Sequence, residues 1–384
     1  MQPNRLVLAV AAGVAVSTVY AAQPLLVTIG ADLGIAPARV GLFVTVTQLG
    51  YALGLFFLVP LGDLLDRRRL IQGQFVLLAV ALLATGLARS AAVLFLGLVA
   101  VGGLAVVTQS LVAYGAALSD PAERGRTVGA ITSGIITGIL LARTFSGTLT
   151  DLAGWRSVYL VLCALCLAFT LVLPRSAPQP SGGLRYGELL QSTAGLWREP
   201  VFRIAALRAF FIFASFSTLW SSMALPLTER GLSHTAIGLF GLIGATGALA
   251  AGPTGQLVDR GLGTKITLLA SVLLATSWLV IAWTPKTLLA LAIGAILLDL
   301  STQAMHVTNQ SMIYRPDAGS RLIGGYMIFY SAGSGLGAIV STSLYEWAGW
   351  TAVCLLGGTG AAGALLMSVR AARQTSRASR HPTR

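Results

Sequence analysis

The chain has 384 residues, of which 55% are hydrophobic and only 10% charged. A soluble domain carries roughly a quarter charged residues, so this composition cannot clothe a water-soluble fold and the bilayer has to act as solvent. The net charge of +13 comes from cations placed between apolar stretches, which reads as a topology signal and excludes a nucleic-acid partner.

A spanning helix needs about 20 apolar residues. Twelve such stretches are predicted, at 6–30, 40–61, 70–88, 92–118, 128–150, 156–173, 204–226, 236–256, 265–284, 288–312, 322–345 and 350–369. The first is too long for a signal peptide and is followed closely by further spans, so no cleavage is expected. Within it, Tyr20 and Gln23 share one side and Pro24 bends the helix. Gln109 and Tyr114 are polar points in the fourth span. Gly50/Gly54, Gly134/Gly138 and Gly333/Gly337 make small-residue faces for close helix packing. Cys163, Cys166 and Cys354 lie in apolar settings that suit packing rather than redox or metal chemistry. Connections are short and carry turn residues, as at Asp120-Pro121 and Pro316-Asp317. The longest, 174–203, starts rich in Pro, Ser and Gly, and its 185–198 portion is predicted as an amphipathic surface helix.

Three charged residues fall inside spans. A charge at a helix centre costs about 2.5–3.5 kcal/mol to insert, so it marks function by default. Arg143 lies deep in the fifth span and suits substrate or counter-charge binding, or else a structural clamp. Asp299 in the tenth span begins a polar stripe with Gln303, His306 and Gln310, whose spacing of 4, 3 and 4 puts all four on one helical face. Lipid would reject that face, so it is expected to look into a cavity, with Asp299 taking and releasing a proton and His306 relaying it. The alternative is a hydrogen-bonded structural stripe. Arg208, nearer the end of the seventh span, is expected to snorkel to the interface. Trp220 follows a Phe-rich stretch and suits an amphipathic organic substrate.

Orientation follows from the cations. With both termini cytoplasmic, only Arg39, Arg89, Arg156, Arg230 and Lys286 fall outside. Arg143 and Arg208 lie within spans, and the remaining 19 of 26 Lys and Arg are inside, five of them in the basic tail 370–384.

The chain also repeats itself. Gly62-Asp63-Leu64-Leu65-Asp66-Arg67 returns 193 residues later as Gly255-Gln256-Leu257-Val258-Asp259-Arg260. Arg126-Thr127-Val128-Gly129 and Leu152-Ala153-Gly154-Trp155 return 195 residues later as Arg321-Leu322-Ile323-Gly324 and Trp347-Ala348-Gly349-Trp350. The expected fold class is therefore an all-α membrane protein, with twelve transmembrane helices in two pseudo-symmetric six-helix bundles. The N-terminal bundle is placed at 1–173, the linker at 174–203 and the C-terminal bundle at 204–369. Such repeats suit alternating access, two similar bundles rocking about a central site.

The Gly62-x-x-x-Asp66-Arg67 loop and its second copy, Gly255-x-x-x-Asp259-Arg260, resemble the signature loop of the major facilitator superfamily. Tyr20-Ala21-Ala22-Gln23-Pro24-Leu25-Leu26 resembles the bacterial drug:proton antiporter type within it. The fifth span departs from that type, with Ile139 at the expected proline and Ala142-Arg143 at the expected glycine pair. The resemblance implies a bacterial inner-membrane transporter in which Asp66 and Arg67, and more weakly Asp259 and Arg260, latch the cytoplasmic side.

The leading expectation is a secondary active transporter that exports small organic compounds in exchange for protons. Arg143, Asp299, Gln303, His306, Tyr20, Gln23, Gln109 and Trp220 would line the substrate or proton path. The alternative is proton-linked uptake of an anionic metabolite held by Arg143. A membrane enzyme or lipid-handling protein is a third class, and it would need a clustered constellation near one interface. No Walker-type phosphate loop or zinc-spaced His/Cys cluster occurs, so no cofactor and no metal is expected. The expected partners are a small-molecule substrate, protons and lipid, with the protein a monomer.

Overall fold

A computed structural model describes residues 4–120, 123–172, 185–313 and 319–380. Pro121 and Pro316-Asp317, taken above as turn residues, lie outside them, as does the start of the linker. Among the described residues all regular structure is helical. The first half carries α1 (Arg5–Tyr20), α2 (Leu26–Asp32), α3 (Leu42–Phe57), α4 (Arg67–Gly86), α5 (Ala91–Ala105), α6 (Val107–Leu118), α7 (Arg124–Ala153) and α8 (Trp155–Val172). The linker carries α9 (Tyr186–Gly195). The second half carries α10 (Pro200–Ser222), α11 (Ala224–Glu229), α12 (His234–Leu239), α13 (Ala245–Leu257), α14 (Gly263–Ile281), α15 (Leu288–Ile313) and α16 (Gly319–Arg380).

Ten stretches are long and apolar enough to cross a membrane. Two of them, His234–Ile281 with 48 residues and Leu322–Arg373 with 52, are each long enough for two crossings. Each is broken by a glycine in the left-handed region, Gly261 (φ 79°) and Gly349 (φ 71°). Twelve crossings result. Gly154 (φ 80°) makes the same turn in the first half that Gly349 makes in the second, so the repeated Ala-Gly-Trp motif is a turn that a side chain would strain. The basic tail prolongs α16 as far as Arg380.

Proline and glycine set the local geometry elsewhere. Pro24 has no amide hydrogen to give. α1 stops at Tyr20, a tight turn forms over Gln23–Leu25, and the chain resumes as α2. The predicted bend is thus a break that leaves the Gln23 side chain in the protein interior. The three small-residue pairs bring backbones into contact. A Cβ on Gly134 or Gly138 would strike the carbonyls of Ala9 and Gly13 on α1. One on Gly50 or Gly54 would strike Val99 and Gly103 on α5, and one on Gly333 or Gly337 would strike Phe210 and Ala214 on α10. The three cysteines are buried free thiols. The linker helix α9 buries Leu189 and is tied down by the Tyr186 hydroxyl, which donates to the Phe57 carbonyl at 2.8 Å.

The chain divides into two compact units. One is Met1–Thr193 with Met223–Leu242, the other Ala194–Ser222 with Ile243–Arg384. The first unit therefore takes a hairpin, α11 and α12, from the second half of the sequence. The hairpin rests on α2 and α7. Asp151 on α7 accepts from the His234 amide (3.2 Å), the Thr235 amide (2.7 Å) and the Thr235 hydroxyl (2.6 Å), and it lies 2.6 Å from His234 Nδ1. The hydroxyl of Thr28 on α2 meets His234 Nε2 at 2.5 Å. Two glycines make the fit possible. A Cβ on Gly147 would strike the His234 carbonyl, and one on Gly238 would come 2.5 Å from the Arg143 carbonyl. Arg143, Gly147 and Asp151 are spaced by four and so share one face of α7.

Candidate functional site

Among the described residues three charged side chains are fully buried: Arg143, Arg208 and Asp299. Two of them organise the polar groups predicted to act.

In the first unit, the glycines that press α7 onto α1 carry Arg143 against the break in that helix. Arg143 is 3% exposed, and its Nε donates to Gln23 Oε1 at 2.7 Å. Its guanidinium carbon stands 5.5 Å from the centre of the Tyr20 ring. An amide oxygen and a ring face are neutral partners that repay part of the cost of burying a cation. Gly241 of the hairpin packs on the aliphatic stem, since a Cβ there would lie 2.8 Å from Arg143 Cβ. Next to Tyr20 stands Tyr51 on α3, hydrogen-bonded to the Gln109 side chain on α6. The structure thus gathers Tyr20, Gln23 and Arg143 into one cluster, beside the Gln109–Tyr51 pair. A fixed guanidinium flanked by phenols and amides is chemistry that recognises an anionic or dipolar organic group.

In the second unit, Asp299 on α15 is 5% exposed and accepts from the indole Nε1 of Trp220 on α10 at 3.1 Å. Gly247 on α13 lets that helix lie against it, because a Cβ there would come 3.0 Å from the Asp299 carbonyl. Two turns along α15, about 10 Å away, His306 Nδ1 lies 3.0 Å from the Tyr326 hydroxyl, and its Nε2 lies 3.2 Å from the Gln310 amide. Asn309 Nδ2 donates to the same Tyr326 hydroxyl at 3.4 Å. The bonds as they stand are satisfied when His306 Nδ1–H donates to the Tyr326 oxygen, which also accepts from Asn309, while Nε2 accepts from the Gln310 amide N–H. The Phe213 ring packs edge-on to His306, centroids 5.2 Å apart. Gln303 is half-buried on the same helix. The predicted stripe therefore holds an acid paired with Trp220 and, separately, a histidine paired with Tyr326 and Gln310.

Arg208 departs from expectation. It is 2% exposed, its Nε meets no hydrogen-bond partner, and it does not snorkel. Its position two turns inside α10, among Ala205, Ala206 and Ala209, leaves its side chain enclosed near Tyr326. Sequence reasoning also missed Tyr51, Asn309 and Tyr326, which face their partners only once the helices pack.

The signature loops are built differently from one another. Asp66 caps α4, accepting from the Arg69 amide at 2.9 Å, where the helix dipole favours a carboxylate. Arg67 donates to the Gly62 carbonyl at 3.0 Å and pairs with Asp63 at 3.4 Å. In the second copy, Asp259 and Arg260 are exposed in a widened turn closed by Gly261, and Gly255 precedes it on α13.

A family model described as Major Facilitator Superfamily matches residues 8–249 and 205–384. The chain belongs to the major facilitator superfamily of membrane transporters. It is 42% identical over 367 residues to the uncharacterized transporter YgaY of Escherichia coli O157:H7, covering 94% of this chain and 93% of that one. Among solved structures it is similar to the nucleoside transporter NupG, with a TM-score of 0.73 at 13% identity over 95% of this chain and 98% of that one. It is also similar to a bacterial homolog of the human lysosomal transporter Spinster, with a TM-score of 0.69 at 16% identity over 95% and 93%. At such identities these structures speak for the fold alone. The protein is a multi-pass membrane transporter, and its bacterial relatives support a place in the inner membrane.

Proposed function

We propose that the protein is a proton-coupled secondary transporter of the drug:proton antiporter type, exporting small organic compounds, with both termini in the cytoplasm. The observation that carries this reading is Asp299, an acid buried mid-helix against the Trp220 indole. A carboxyl group kept in a membrane span at that cost is a natural proton carrier. Solute binding is assigned to the cluster of Arg143, Gln23 and Tyr20 with the neighbouring Gln109–Tyr51 pair. The signature loops serve as cytoplasmic latches.

The test is transport in sealed vesicles with an imposed pH gradient, screening cationic drugs and organic acids, with Asp299→Asn alongside the parent. Accumulation that collapses with the gradient and needs Asp299 supports the reading. Transport unchanged in Asp299→Asn refutes it. A second reading, uptake of an organic anion, is favoured by the buried Arg143. It predicts that organic acids move inward with protons and that Arg143→Ala abolishes this, whereas anion uptake that survives Arg143→Ala excludes it.

A further inference from the structure

We propose that Arg208, Tyr326 and Asn309 form an anion-binding site inside the second unit, separate from the Arg143 cluster, which takes a small carboxylate bearing its own hydroxyl or amine. The three side chains come from α10, α16 and α15, and all are enclosed. Tyr326 is their common neighbour. Asn309 Nδ2 donates to its hydroxyl at 3.4 Å, and the Arg208 guanidinium stands near enough for its charge to act on that hydroxyl.

The charge on Arg208 is not answered by the described residues. Among them it joins no ion pair, and its Nε has no acceptor. Arg143, by contrast, has Gln23 and the Tyr20 ring. The acids on the neighbouring stretches are out of reach. Glu199 precedes Arg208 by nine residues, about 13 Å of helix. Asp299 precedes Asn309 by ten, about 15 Å, and is taken by Trp220. A guanidinium does not lose its proton in a protein, so burial cannot neutralise it. A buried cation without a counter-charge is costly, and a bound anion removes that cost.

The polar atoms left unspent set the chemistry of the ligand. With the Tyr326 oxygen accepting from His306 Nδ1 and Asn309 Nδ2, its own hydrogen has no acceptor among the described residues. Arg208 Nε and the Tyr326 O–H are thus two open donors, and Asn309 Oδ1, buried and without a partner, is an open acceptor. A carboxylate takes the two donors. A hydroxyl or amine on the same compound fills the acceptor. A halide would answer the charge and leave Oδ1 stranded. Phe202, Ile313 and Leu322 belong to the same apolar core as Tyr326, which keeps the site small and excludes a long chain. His306 and Gln310, half-buried on α15, border it on a more open face.

The test is thermal unfolding of the full-length protein in detergent, titrated with sodium glycolate, sodium acetate and sodium chloride. A ligand that binds the folded protein raises the midpoint with its concentration, which yields a dissociation constant. The titrations use Arg143→Ala, so that the arginine of the first unit cannot respond. Glycolate should stabilise saturably. Acetate has no hydroxyl for Asn309 and should bind about fivefold more weakly, the worth of one hydrogen bond. Chloride should bind more weakly still. Adding Arg208→Met should remove the response to both carboxylates. Two single variants of the parent chain read the charge without ligand, and they decide alone if Arg143→Ala does not fold. Arg208→Met fills the space without the charge and should melt at or above the parent midpoint. Asn309→Asp builds a carboxylate into the site, so it should melt higher than the parent and no longer respond to glycolate. The proposal is overturned if glycolate has no saturable effect, if chloride matches it, or if its effect survives Arg208→Met. It is overturned equally if Arg208→Met lowers the midpoint or Asn309→Asp fails to raise it. No readout involves transport or Asp299, so the outcome is independent of the coupling reading above.

Discussion

The two bundles repeat one another in backbone and differ in charge. Gly154 and Gly349 occupy matching turns with nearly the same φ, 80° and 71°. Close-packed glycines hold α7 to α1 in one bundle and α16 to α10 in the other. At the position matching Arg143, however, the second bundle has Ala338, and at the position matching Asp299 the first has Leu104. The scaffold is the part that was copied. The ionisable groups belong to one bundle each, so the duplication alone does not require them.

Neutralising the acid should break this division most sharply. Asp299→Asn keeps the shape and an acceptor for Trp220 but cannot cycle a proton, so gradient-driven accumulation in vesicles should fall to the equilibrium ratio. Next comes Arg143→Ala, which removes the cation and strands Gln23. Weakening of anionic solute binding by at least about 30-fold is expected, the low end for truncating a buried charge in a hydrogen-bonded site. A cationic solute should be little affected, and binding titrations with both would show whether the first bundle is the anion-selective one.

The shared scaffold can be probed with less effect on chemistry. Gly138→Val would push α7 off α1 and should destabilise by about 1–3 kcal/mol. Gly129→Ala on the same helix meets nothing within 4 Å and should be neutral or stabilising by up to about 1 kcal/mol. Thermal unfolding in detergent separates the two. Tyr51→Phe should have the smallest effect, losing one hydrogen bond to Gln109 and about fivefold in solute affinity, with the fold intact.

Much of this was legible in the sequence because lipid makes polarity expensive. Arg143 and Asp299 stand out in apolar runs for that reason, and the 4, 3, 4 spacing placed Asp299 and His306 on one face before any packing was known. The breaks at Gly154 and Gly349 announced themselves as a repeat. What stayed hidden was partnership across sequence distance. Tyr51 and Tyr326 look like ordinary aromatic residues in spans, and only the packed helices bring them to Gln109 and to His306. Arg208 read as a snorkelling cation because its distance from the span end is visible in sequence, whereas the helix packing that buries it and brings Tyr326 near it is not. Asp151 and His234 are 83 residues apart, one near the end of α7 and the other at the start of α12, and neither carries a motif.

Duplication ordinarily frees the two copies to drift apart, each answering only to its own interior. The Met223–Leu242 hairpin cancels that freedom. It is encoded in the second copy and folded into the first, so a bulkier residue at Gly147 cannot be absorbed without a matching change near His234, and one at Gly238 collides with the backbone of Arg143. Selection at Arg143 therefore reaches across the chain midpoint, and a change on either side of this contact has to be matched on the other.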